Sequence, residues 1–78
     1  MSWTEQQLVD YCNRKNIHPD AYSFYKDKDD AFCLDKVGDE WLIYYSERGT
    51  KSELAWAKDE GQALNVLKLF LLEAHMLF

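Results

Sequence analysis

Residues 40–57, EWLIYYSERGTKSELAWA, are rich in aromatic side chains and predict a β-hairpin. The first half alternates its side chains between two faces, as a strand does, and Gly49 marks the turn that follows. If the residues after the turn form a regular antiparallel strand, three cross-strand pairs are predicted: Tyr45 with Ser52, Ile43 with Leu54, and Trp41 with Trp56. This register collects the large apolar side chains of both strands on one face, which a one-residue slip would scatter.

A second hairpin is predicted immediately before the first. Residues 31–37, AFCLDKV, also alternate, and Gly38–Asp39 separates them from the strand that follows. Glycine at the first of two turn positions is typical of a type II′ turn. The resulting pairs are Phe32 with Tyr45, Leu34 with Ile43, and Lys36 with Trp41. Residues 21–25, AYSFY, would add a fourth strand, with KDKDD at 26–30 as a charged turn.

A helix is predicted at each end of the chain. Thr4 and Gln7 have the spacing of a capping box, and the first helix should end near Asn16. Asp59 and Gln62 have the same spacing before the last helix. The last helix has an apolar stripe at spacings of three and four: Ala63, Val66, Leu67, Phe70, Leu71, Ala74 and Leu77. Its additional apolar residues are expected to be covered on one side by the first helix.

The predicted fold class is therefore α+β, in a single small globular domain spanning 1–78. A helix is followed by an antiparallel β-meander of three to four strands and a C-terminal helix, with both helices on one face. The opposite face is expected to be open and mixed in character, with Leu42 and Tyr44 at its centre. Its residues are Ala31, Cys33, Asp35, Leu42, Tyr44, Ser46, Glu53 and Ala55.

The net charge of −5 argues against binding to nucleic acid or to anionic membranes, both of which need lysine and arginine. An acidic surface favours a basic protein partner, although solubility alone would also explain it. The N-terminus lacks the pattern of a signal peptide, and no apolar stretch is long enough to cross a bilayer. We therefore expect a cytoplasmic protein in which Cys12 and Cys33 are reduced.

Catalytic and metal-binding motifs are not apparent. His18, His75, Cys12 and Cys33 do not have the spacing of a known metal site. The glycines are scattered rather than grouped in a phosphate-binding loop, and Ser46 does not lie in a nucleophile elbow. The sequence therefore predicts a protein that is not an enzyme and has no catalytic residue, metal site or cofactor.

The segment WLIYYSERG (41–49), followed by LAWAKDEGQALNVLKLFL (54–71), resembles a small bacterial family with the motif W-x-x-Y-Y-x-E-R-G. The matching residues are Trp41, Tyr44, Tyr45, Glu47, Arg48 and Gly49. The chain departs from the pattern after the turn, where Ser52–Leu54 replace an expected basic and aromatic residue. Members of this family are immunity proteins encoded beside secreted polymorphic toxins. The resemblance implies a non-enzymatic inhibitor that blocks the active site of a cognate toxin.

The predicted partner-binding residues lie on the hairpin of residues 40–57 and on the neighbouring strand, residues 31–37. Leu42, Tyr44 and Arg48 are the expected anchors. Asp35, Glu47 and Glu53 would form a charged rim facing a basic toxin.

Other interpretations remain open at this point. Glu47 and Arg48 could brace the hairpin through an ion pair instead of binding a partner. The chain could be a homodimer that associates through an edge strand or through the Leu69, Leu72 and Met76 side of the last helix. It could also be an acidic inhibitor that mimics nucleic acid.

Overall fold

A computed structural model of the chain describes residues 3–76, with side chains through residue 75. Within this range, α1 (Glu5–Arg14) precedes a 3-10 turn (Pro19–Ala21) and four strands. The strands are β1 (Tyr22–Phe24), β2 (Ala31–Val37), β3 (Glu40–Glu47) and β4 (Thr50–Ala57), and α2 (Glu60–Met76) follows. The sheet order is β1-β2-β3-β4, so the predicted α+β class is confirmed. Leu77 of the predicted stripe lies outside the described residues.

Both ends of α1 are fixed by local hydrogen bonds. The Thr4 hydroxyl accepts from the Gln7 N–H at 3.2 Å, and the Gln7 side chain accepts from the Thr4 N–H at 3.0 Å. This reciprocal pair confirms the predicted capping box. At the other end Asn16 has a φ of 59°, and the Ile17 N–H donates to the Cys12 carbonyl at 2.8 Å. This is a Schellman motif, and it places the Ile17 side chain in the core.

The core lies between the two helices and one face of the sheet, which we call the core face. Asp59 caps α2 as predicted, because its carboxylate accepts from the Gln62 N–H at 2.7 Å. Leu67 and Leu71 of α2 are buried with Leu8 of α1 and Leu34 of β2 in one apolar cluster. α1 therefore covers part of α2, as the breadth of the apolar surface on α2 predicted.

The β2–β3 hairpin has the predicted register. Phe32 faces Tyr45, Leu34 faces Ile43, and Lys36 faces Trp41. Gly38 has a φ of 64°, whereas Asp39 is outside the positive-φ region. Positive φ at the first turn residue alone is the pattern of a type II′ turn, which is the type predicted.

The β3–β4 hairpin differs from the prediction beyond its first few pairs. Tyr45 faces Ser52 as expected, but a β-bulge follows, so that Ile43 faces Ala55 and Trp41 faces Ala57. The predicted Ile43–Leu54 and Trp41–Trp56 pairs are therefore wrong. Only Lys58 and Asp59 connect β4 to α2, so the first turn of the helix lies close to the end of β4. Ala57 and Ala63 are both buried in this region, where small side chains let the two elements approach.

β1 also differs from the predicted meander, because it pairs with β2 in parallel: Tyr22 faces Phe32 and Phe24 faces Leu34. Residues 25–30, which we call the crossover segment, therefore form a return connection and not a tight turn. Parallel strands usually need a much longer connection. Here β1 is only three residues long, so a short segment is enough to bring the chain back to the start of β2.

Candidate functional site

The crossover segment covers half of the face opposite the helices, which we call the outer face. The Tyr44 hydroxyl donates to Asp27 Oδ1 at 3.2 Å, and Cys33 Sγ lies 3.8 Å from the Lys28 carbonyl oxygen. Lys51 Nζ lies 5.1 Å from the centroid of the Tyr44 ring. Ala31, Cys33, Leu42 and Tyr44 form a second apolar cluster on this face. The expectation of an open face is therefore wrong for this half.

Two of the predicted partner anchors are buried in the second cluster. Tyr44 is 2% exposed and Leu42 is 9% exposed, so the Tyr44 ring fills space between the sheet and the crossover segment. Burial, together with the nearby Cys33 and Asp27, raises the pKa of Tyr44 above its ordinary value. Burial likewise raises the pKa of the Cys33 thiol. The arrangement favours a neutral phenol and a neutral thiol, and the neutral thiol is the less nucleophilic form.

Glu47 and Arg48 lie at the tip of the β3–β4 hairpin, away from the centre of the outer face. Arg48 has a φ of 51° and Gly49 a φ of 81°, which is the type I′ pattern. The Arg48 N–H donates to Asp29 of the crossover segment. In residues 3–75 no ion pair joins Glu47 to Arg48. The contact between the hairpin and the crossover segment therefore uses the backbone of Arg48 and the carboxylate of Asp29. The side chains of Glu47 and Arg48 are exposed.

Arg48→Asn is expected to raise the free energy of unfolding by about 0.5–1 kcal/mol. Asparagine tolerates the left-handed conformation better than arginine, and Asn-Gly is the preferred pair for a type I′ turn. Chemical denaturation of both proteins measures the effect. Gly49→Ala is the opposing control, because its φ of 81° should make alanine destabilising. Equal or lower stability in the Arg48→Asn variant would contradict the assigned turn.

The other half of the outer face is exposed and apolar. Trp56 is 45% exposed and lies opposite Leu42 on this face. Val37 is also exposed, at the far end of β2. We call Val37, Leu42 and Trp56 the outer patch. Of these, only Leu42 was predicted to lie on the outer face, because regular alternation along β4 placed Trp56 toward the core.

Acidic side chains surround the outer patch. Asp35 faces Leu42 across β2 and β3, Glu40 faces Val37, and Glu53 faces Tyr44. Glu40 and Glu53 are exposed, and Asp35 is partly exposed. The predicted rim residues Asp35 and Glu53 are therefore brought together around an apolar centre, whereas Glu47 and Arg48 are not part of it.

A shallow groove of about 310 Å³ lies on the core side, between the last turns of α2 and the sheet. Phe32, Tyr45, Ala74 and His75 contribute to its lining. Within the described part of the chain, no group of three His, Cys, Asp or Glu side chains could hold a metal ion. In the same residues, no helix combines the length and apolar character needed to cross a membrane.

Comparison with family models, with curated proteins and with solved structures finds no match to this chain. The resemblance to immunity proteins therefore stays a prediction from the motif.

Proposed function

We propose that this chain is a non-enzymatic inhibitor that binds a cognate bacterial toxin and blocks its active site. The observation behind the proposal is the outer patch, an apolar surface within an acidic rim. Trp56 is the strongest candidate anchor, because tryptophan is enriched at binding hot spots and this one is 45% exposed. The motif resemblance at residues 41–49 supports the same function.

The charge around the patch favours a basic partner surface. Asp35, Glu40 and Glu53 would meet lysine or arginine side chains of the toxin, and the net charge of −5 would steer the two proteins together. An apolar centre with a charged rim is the usual anatomy of a protein interface. The inhibitor needs no reacting group of its own, because covering the catalytic cleft of the toxin is sufficient.

The structure changes which residues should make the contact. Tyr44 is buried, so its proposed contribution is to support the sheet beneath the patch. Trp56 replaces it as the exposed anchor, with the buried Leu42 forming the floor beside it. Glu53 and Asp35 keep their proposed role at the rim.

A nucleic-acid-mimicking inhibitor is a weaker alternative. Such a protein needs a row of free carboxylates spaced like phosphates. The densest acidic run of this chain is in the crossover segment, where Asp27 binds the Tyr44 hydroxyl and Asp29 binds the Arg48 N–H. Two of its carboxylates therefore serve internal contacts.

Trp56→Asp is expected to weaken binding to the toxin encoded beside this gene by about 30-fold or more, the loss typical of a hot-spot residue. Calorimetric titration with the purified toxin measures the affinity, and survival of cells expressing both proteins measures protection. Leu69→Asp is the matched control, because Leu69 is 51% exposed on α2 and lies outside the outer patch.

Two outcomes would contradict the proposal. Cells that die from the toxin whether or not this chain is present would exclude the immunity function. Full protection by Trp56→Asp together with loss of protection in Leu69→Asp would place the binding surface on α2.

A further inference from the structure

β4 is an edge strand with much of its length exposed. It pairs with β3 on one side, and in residues 3–76 no strand pairs with its other side. Residues 50–54 are all exposed. An edge of this kind presents a row of backbone donors and acceptors to solvent, and such an edge is a template for pairing with another strand.

The turn geometry shows which backbone groups of β4 point outward. The two-residue turn closes on Glu47 and Thr50, and the closing pair of such a hairpin is hydrogen-bonded. Hydrogen-bonded and non-hydrogen-bonded pairs then alternate along the strands. Thr50 and Ser52 therefore bond to β3, while Lys51 and Glu53 direct their N–H and C=O groups to the free edge.

The side chains at this edge are complementary to themselves in an antiparallel arrangement. When Ser52 of one copy faces Ser52 of a second copy, Lys51 of each copy faces Glu53 of the other. The same register makes Lys51 and Glu53 the hydrogen-bonded pair, which matches the outward direction of their backbone groups. Opposite charges on directly facing residues stabilise a strand pair.

We propose that two copies of this chain pair through β4, antiparallel and centred on Ser52, to form a symmetric dimer. The sheet continues across both copies, with all helices on one face and both outer patches on the other. A two-fold pairing of one edge is closed, so it does not grow into a filament. This proposal does not rest on the toxin-binding function, although Glu53 belongs to both proposed contact surfaces.

The bulge beyond Glu53 limits the length of the pairing. A bulge bends and twists its strand, so the region beyond it diverges from a flat partner edge. The regular part, from Thr50 to Glu53, forms a small interface. We therefore expect a dimer whose population depends strongly on protein concentration.

A charge-reversal series tests the proposed register. Sedimentation equilibrium from about 10 µM to about 1 mM covers the range of small, weak interfaces. Lys51→Glu and Glu53→Lys should each weaken dimerisation by about tenfold, because each places like charges opposite one another twice. The double variant, Lys51→Glu with Glu53→Lys, restores opposite charges and should dimerise like the natural chain. Lys58→Glu is the control for Lys51→Glu, because it changes the net charge by the same amount but lies after β4.

Amide hydrogen exchange supplies a test that needs no substitution. The Lys51 and Glu53 amides should exchange more slowly as the concentration of the natural chain rises, while the exposed tip amide of Gly49 should not. Three results would overturn the proposal: a monomer at every concentration, single variants that dimerise like the natural chain, or a double variant that stays monomeric.

Discussion

We expect Tyr44→Ala to lower the free energy of unfolding by about 3–5 kcal/mol, which is the loss typical of removing a buried aromatic ring. The ring is 2% exposed and fills the space between the sheet and the crossover segment. Its removal also leaves Asp27 without the bond from the Tyr44 hydroxyl. For a chain of 78 residues this loss is a large part of the total stability. Urea denaturation followed by tryptophan fluorescence measures it.

Tyr44→Phe separates the ring from the hydroxyl. It keeps the packing and removes only the bond to Asp27, so the expected loss is about 1 kcal/mol. The pKa of Tyr44 is higher in the folded state than in the unfolded chain. The contribution of its neutral phenol to the free energy of unfolding is therefore fully present below about pH 10 and decreases as the pH rises further. Tyr44→Phe should reduce that alkaline loss. Unchanged stability in Tyr44→Ala would show that the ring is not a packing residue.

Leu67→Ala is expected to have the second large effect, lowering the free energy of unfolding by about 2–5 kcal/mol. Leu67 is fully buried in the middle of α2, in the same cluster as Leu8 of α1 and Ile43 of β3. The shortened side chain leaves a cavity where both helices meet the core face of the sheet. The midpoint of thermal or urea unfolding, followed by circular dichroism, measures the change.

Leu69→Ala is the matched control for Leu67→Ala, since it makes the same chemical change two residues further along the same helix. Leu69 is 51% exposed, so the expected effect is within about 0.5 kcal/mol. Equal losses in the two variants would mean that the assigned face of α2 is wrong.

The helices and the β2–β3 hairpin were predictable because their signals are local. The capping residues Thr4 and Asp59 lie within a few positions of the groups they bind. Gly38 fixes the turn and hence the register of β2 and β3. The Schellman motif that places Ile17 in the core was harder to predict, since asparagine at position 16 is a weaker signal than glycine for a left-handed helix end.

The sequence of β4 alone does not predict which face of the sheet Trp56 occupies. In a regular strand, alternation places the larger side chains Leu54 and Trp56 toward the core and the alanines outward. The bulge reverses this choice for the residues beyond Leu54, so that the small Ala55 and Ala57 lie on the side where α2 approaches and Trp56 lies on the outer face. Because Trp56 was assigned to the core, the outer patch was not predicted.

The crossover segment escaped prediction for a related reason. Its charges suggested a solvated turn, yet the bonding partners are distant in sequence: Asp27 binds Tyr44, and Asp29 binds the N–H of Arg48. Nothing in KDKDD distinguishes a tight turn from a return connection. Of the predicted site, Asp35 and Glu53 lie at the surface around Leu42, while Leu42 and Tyr44 are themselves buried.

The parallel pairing of β1 also has a kinetic consequence. β2, β3 and β4 are joined by two-residue turns, so their pairing closes short loops and contributes to a low contact order. β1 and the crossover segment have no surface to bind until that three-stranded nucleus exists. We therefore expect them to assemble late during folding and to detach first when the native state opens locally.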